Sequence, residues 1–258
     1  MRRRADGFTL IELIAVIVMI SIMATVGVQF VALVLENYNR SIDRGKLITH
    51  GRQALERMTR QLRVAVPNSV RITNGNQCVE FLPIAGGGNY IGELADADNN
   101  AAAQSTLNSG GYQVTFGSAR YVYVGALTAT EIYSNSAVST AIAVAEDHSD
   151  TTLALAGAHQ FLRNSVSNRF FLSDNPAAFC ISAGELRYFS GYSTPSATTG
   201  VPSGTGSLMA AGVGSTGTPF TISLGSEDRN SLLALRLTFS RNGEVVALNQ
   251  EILVRNVP

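Results

Sequence analysis

The sequence predicts an α+β fold, in which a long N-terminal helix packs on a domain rich in antiparallel strands. Three observations carry that expectation. An uncharged apolar run from Leu13 to Leu35 passes into a helical pattern that continues to Val66. From Asn68 onward, short segments of β-branched and aromatic residues alternate with Gly, Asn and Ser. Near the C-terminus, two alternating segments flank Asn242-Gly243, the strongest short-range signal for a hairpin. A long helix followed by such strands has to bury its apolar stripe against a sheet.

The chain opens with Arg2, Arg3 and Arg4 against a lone Asp6, then Gly7-Phe8-Thr9-Leu10-Ile11-Glu12. The apolar run behind it has 23 residues. At helical rise it reaches roughly 34 Å, against about 30 Å for a bilayer core. The basic flank places the N-terminus on the cytoplasmic side and the rest of the chain outside. A cleaved secretory signal fits poorly, because its apolar region is only about 7–15 residues and ends in a small-x-small site.

Glu12 sits within the apolar block. A carboxylate there costs about 2.5–3.5 kcal/mol on insertion scales unless it snorkels or finds a partner. Snorkelling is one solution. The other is a cation at the same depth: cleavage after Gly7 would expose an amine on Phe8, and the Glu12 of one helix could neutralise the Phe8 amine of a staggered neighbour.

Past the span, Tyr38, Ile42, Ile48, Leu55, Met58, Leu62 and Val66 recur at helical spacings, with Arg40, Arg44, Arg52, Glu56, Arg57, Arg60 and Arg63 on other faces. This predicts one helix over residues 8–66, spanning the membrane at 13–35 and ended by Pro67. Gly45 and Gly51 should weaken it by about 1 kcal/mol each and permit a bend. The basic face reads as a solvated surface rather than a binding patch.

Residues 67–258 form the predicted outer domain. Strands are expected at Gln77–Leu82, Tyr112–Phe116, Arg120–Gly125, Arg169–Ser173, Ala178–Ser182 and Glu185–Ser190, with the hairpin at Leu232–Arg241 and Glu244–Arg255. Gly86-Gly87-Gly88 and Ala95–Gly111 read as loop, and the Gly/Ser-rich Thr194–Pro219 as a surface excursion.

The order of basic leader, Gly7, Phe8, Glu12 and long apolar run resembles the class III signal of type IV pilins and type II secretion pseudopilins. The resemblance implies a type IV pilin-like fold and a leader of residues 1–7. It implies a prepilin peptidase/methyltransferase that cuts between Gly7 and Phe8 and methylates the Phe8 amine, and an assembly role for Glu12. Many major pilins carry a proline where this chain has Gln29, which favours a minor subunit. A long helix leading into a larger β-rich domain resembles the J-type minor pseudopilins and their pilus relatives, and the segments Arg169–Pro176, Ala178–Cys180, Leu186–Phe189 and Val254–Pro258 are similar to the O-type minor pilins of the mannose-sensitive haemagglutinin (MSHA) pilus. The implied partners are membrane lipid, other major and minor pilins through their N-terminal helices, and an inner-membrane assembly platform of a Gram-negative bacterium.

Nineteen Lys+Arg against nineteen Asp+Glu offer no case for a nucleic-acid partner. Cys78 and Cys180, the two cysteines, are expected to form a disulfide in an oxidising periplasm, with two separate buried thiols as the alternative. No metal or cofactor site is expected. Asp96-Ala97-Asp98-Asn99-Asn100 begins like a calcium loop but has Ala101 and Leu107 where such a loop needs Gly and Glu, so it reads as a solvated turn. His50, His148 and His159 stand apart from one another, and no nucleophile elbow, phosphate loop or metalloprotease motif occurs.

The expected function is therefore structural and non-enzymatic: a minor subunit in the assembly, initiation or tip of a pilus. A type II secretion minor pseudopilin is the near alternative. A membrane-anchored periplasmic binding protein that never polymerises is the distant one.

Overall fold

The computed structural model describes residues 9–134, 138–140, 151–192, 200, 202–225 and 230–256. Helix α1 runs over Leu10–Arg63, 54 residues. The strands in chain order are β1 (Arg71–Thr73), β2 (Cys78–Phe81), β3 (Ile84–Tyr90), β4 (Gln104–Val114), β5 (Tyr121–Tyr123), then helix α2 (Ala129–Tyr133), β6 (Val138–Thr140), β7 (Thr152–His159) and β8 (Arg169–Ser173). They continue with β9 (Ala177–Ser182), β10 (Glu185–Ser190), β11 (Ser207–Ala211), β12 (Val213–Gly214), β13 (Phe220–Ser223), β14 (Ser231–Arg241) and β15 (Glu244–Val254). The α+β architecture expected from the sequence is present.

Helix α1 ends at Arg63 rather than Val66 because the following backbone changes partners. The Val66 N–H donates to the Leu82 carbonyl at 2.8 Å, and Ala65 forms an isolated bridge to Pro83. Asn68, in the left-handed region at φ 61°, then ties three segments together. Its N–H donates to Arg255 O (3.2 Å) and its amide donates to Ala126 O and Asn256 O, both at 2.9 Å.

Three sheets follow. One has the order β1-β2-β9-β10-β11; a second joins β12 and β13 to β14, with β15 paired to the other side of β14; the third has the order β6-β5-β8-β3-β4-β7. Every strand pairing in them is antiparallel. The inner half of α1 covers the first two sheets. Leu47, Ala54, Leu55, Met58 and Leu62 share one core with Phe81 and Phe179 of the first sheet and Leu235, Leu237 and Phe239 of the second. The core of the third sheet, built around Tyr112, Val122, Phe161, Phe170 and Leu172, contains no residue of α1.

The β14–β15 hairpin turns at Asn242 (φ 50°) and Gly243 (φ 82°), the paired positive values that a two-residue hairpin demands. Its tip meets the lower part of α1, where Asp43 accepts from the Asn242 amide at 2.8 Å and pairs with Arg241 at 3.4 Å.

Three segments read as loop or surface excursion prove to contain strand. Gly86–Gly88 lies within β3, and the glycines are what permit it: a Cβ on Gly86 would clash with the Gln113 carbonyl oxygen of β4. The segment Ala95–Gly111 contributes most of β4, and Thr194–Pro219 contributes β11 and β12. Their Gly, Ser and Ala residues have low strand propensity, and cross-strand partners override it.

Candidate processing and assembly site

Gly7 and Phe8 lie outside the described residues. The site begins at Thr9, which is extended (φ −80°, ψ 152°) and caps α1. The Glu12 N–H donates to Thr9 Oγ1 at 3.4 Å, and Glu12 Oε2 accepts from the Thr9 N–H at 3.4 Å and hydroxyl at 3.3 Å. This is a reciprocal capping box, in which two N-terminal amides of the helix that lack intrahelical partners are satisfied at once. Glu12 thus has hydrogen-bond partners inside its own chain, a third solution beside snorkelling and intersubunit pairing. The Thr9-x-x-Glu12 spacing is legible in the sequence, and attention to charge alone misses it. The box satisfies hydrogen bonds, and the helix N-terminus offers Glu12 only a partial positive charge.

Beyond Glu12 the apolar residues of the span, from Leu13 to Leu35, are exposed. It is the one helix among the described residues long and apolar enough to cross a bilayer. Two of its polar members are self-satisfied: Ser21 Oγ donates to Ile17 O at 2.7 Å and Thr25 Oγ1 to Ile22 O at 2.9 Å. In lipid, where water cannot serve as a partner, such back-bonding removes most of the cost of a hydroxyl. Where charge resumes, Glu36 and Arg40 pair one turn apart at 2.6 Å.

Cys78 on β2 and Cys180 on β9 are directly opposite in the ladder and joined as a disulfide. The bond closes a loop of 102 positions, packed by Ala178, Phe189 and Tyr192.

A buried polar cluster near this bond was not foreseen. Arg71 pairs with Glu80 at 2.5 Å, with side-chain exposures of only 14% and 9%. The Arg71 guanidinium lies 3.5 Å above the Tyr133 ring, and Tyr192 donates to Glu80 Oε1 at 2.7 Å. Burial, reinforced by the charge of Glu80, pushes the Tyr192 and Tyr133 phenols well above their ordinary range. Both stay protonated at neutral pH, so the cluster holds β1 and β2 together rather than moving protons.

Residues 97–100 are an exposed turn, as expected, but Asp96 at its start is buried rather than solvated. Its carboxylate accepts from the Asn99 N–H at 2.6 Å, the Asn99 amide at 2.9 Å, and the Asn164 amide. Burial lowers the pKa of His159, which packs edge-on against Phe161 at a ring separation of 4.6 Å. His148 lies outside the described residues.

Residues 2–28 match the prokaryotic N-terminal methylation motif. No curated protein and no solved structure matches the chain. The motif is the substrate signal of prepilin peptidases, and the exposed apolar helix behind it fits inner-membrane anchoring. It suggests a structural rather than a catalytic protein, with pilins as partners. Leader motif, exposed helix and disulfide-linked α+β head together indicate a type IV pilin-like or pseudopilin subunit.

Proposed function

We propose that this chain is a minor subunit of an MSHA-type pilus, acting in assembly, initiation or at the tip. The peptidase cuts between Gly7 and Phe8 and methylates the new amine. The processed subunit waits in the inner membrane by residues 13–35, with its N-terminus cytoplasmic and residues 67–258 in the periplasm. Glu12 then leaves the Thr9 cap for the Phe8 amine of a neighbouring helix, exchanging a neutral partner for a cation and setting the register of the assembly. The large head supports a terminal position, since a separate third sheet beyond the two that α1 covers packs poorly between many identical neighbours.

The methylation motif at residues 2–28 carries this reading. Mass spectrometry of the N-terminal peptide from membrane-extracted protein tests it. The expected species begins at N-methylated Phe8; an intact arginine leader in cells with an active peptidase overturns it. In the same cells, Glu12→Ala should leave the protein at wild-type levels in the membrane and absent from sheared filaments.

A further inference from the structure

The face of α1 that the sequence presents as merely solvated includes a stripe with a different setting. Lys46, His50, Gln53 and Arg57 recur at spacings of four, three and four, which places them in one row along the helix. They form one wall of a groove of about 580 Å³. The opposite wall is β11, through Leu208 and Met209, and the buried Leu47, Ala54 and Phe239 contribute to its apolar lining. Arg241 lies at the groove too, held by Asp43. Among the described residues no carboxylate lines it. Arg57 is steadied over the Tyr188 ring at 5.2 Å. The groove is therefore cationic along one wall and apolar along the other.

We propose that this groove binds an extended, acidic polypeptide segment of a neighbouring subunit. Three arguments select that occupant. The first is reach. Lys46 stands 11 residues beyond the end of the apolar run and Arg57 stands 22 beyond it. At helical rise that is about 16 and 33 Å, whereas lipid headgroups extend only about 5–8 Å past the hydrocarbon. Headgroups stop short of the groove.

The second is shape. From Lys46 to Arg57 the row rises by about 16 Å, so its two cations suit a linear anion rather than one phosphate. The apolar wall suits alternating apolar side chains, which a peptide supplies and a nucleic-acid backbone does not.

The third is complementarity between heads and stems. From Arg40 to Arg63 seven Lys/Arg face two Asp/Glu, whereas residues 64–258 carry nine Lys/Arg against fourteen Asp/Glu. A neighbour of the same build presents an acidic head beside this basic stem. Naming a filament neighbour as the source rests on the function proposed above; the groove's preference for acidic peptide does not.

Binding to the full chain in detergent micelles, which requires no filament, separates the two. The probe is a fluorescein-labelled octapeptide of alternating glutamate and leucine, followed by anisotropy. Wild type should bind it and lose affinity as salt is raised. K46E/R57E should weaken binding at least tenfold and gain affinity for the matching lysine–leucine octapeptide. R169E, on β8 away from the groove, should bind as wild type does. Unchanged binding by K46E/R57E, equal loss in R169E, or no binding by wild type overturns the proposal. So does tighter binding of a ten-residue thymidine oligonucleotide than of the acidic peptide. K46Q/R57Q, which avoids reversed charge beside Tyr188, should fall between wild type and K46E/R57E, and intact near-ultraviolet dichroism in each variant excludes loss of fold.

Discussion

The outer half of α1, Leu10 to Leu35, and its inner half, Leu47 to Leu62, belong to one continuous helix in opposite surroundings. Outside, Ile17, Val18, Met19 and Ile20 are each about half exposed or more and touch no head residue in the core. Inside, Met58 and Leu62 are fully buried against two sheets. The lesson concerns pattern. Where apolar residues surround the helix, its solvent is lipid or other helices. Where they occupy one stripe, its solvent is the chain's own sheet.

Three sets of substitutions should sharpen or break that contrast. The largest effect is expected from replacing Cys78 and Cys180 with alanine. In the chain-entropy account, a loop of this length contributes about 4–5 kcal/mol. Urea unfolding of the detergent-solubilised protein should show the head destabilised by that order while the helical signal of the outer half persists. Loss of both together would mean that the halves are one cooperative unit.

Next in size is Leu62→Ala, a cavity in the shared core. It should cost about 2–5 kcal/mol in the same experiment. Val18→Ala, chemically similar but outside, should leave head stability within about 0.5 kcal/mol. Comparable losses from the two would end the distinction.

The smallest is Gly51→Val. A Cβ there would fall 2.5 Å from Leu248 Cδ1 and 3.0 Å from the Phe239 ring, so overpacking should cost about 1–3 kcal/mol. Gly45→Val, with nothing within 4 Å of its Cβ, should be nearly silent by thermal melting of the head. The two glycines read alike in the sequence as weak points of a helix. Only Gly51 is a contact: its missing side chain lets β14 and β15 approach.

Much of the fold could be read in advance because its signals are local. Strands β8 and β10 have the expected bounds, and the hairpin turns where Asn242-Gly243 says it should. Strand β7 escaped because its composition is indifferent and its partner, β4, lies far back in the chain, whereas β13 pairs with the adjacent β14 and escaped because a four-residue segment is too short to stand out. At the candidate site, Glu12 stands out by its cost in an apolar setting. Its bond to Thr9 follows from a capping pattern that is equally local. The Arg71–Glu80–Tyr192 cluster could not be foreseen, since its members are 9 and 112 positions apart in sequence.

The amino-acid order by itself determined the methylation motif, the long apolar helix, the cap and the hairpin, because each depends on residues within a few turns of one another. It also supplied two cysteines and a basic stem. Only tertiary structure decided that the cysteines face each other across β2 and β9, that Gly51 is a point of close approach, and that Lys46, His50 and Arg57 border a groove rather than open solvent. Those outcomes depend on which strands pair and on which side of α1 they lie, and that choice is settled by the burial of the whole core at once.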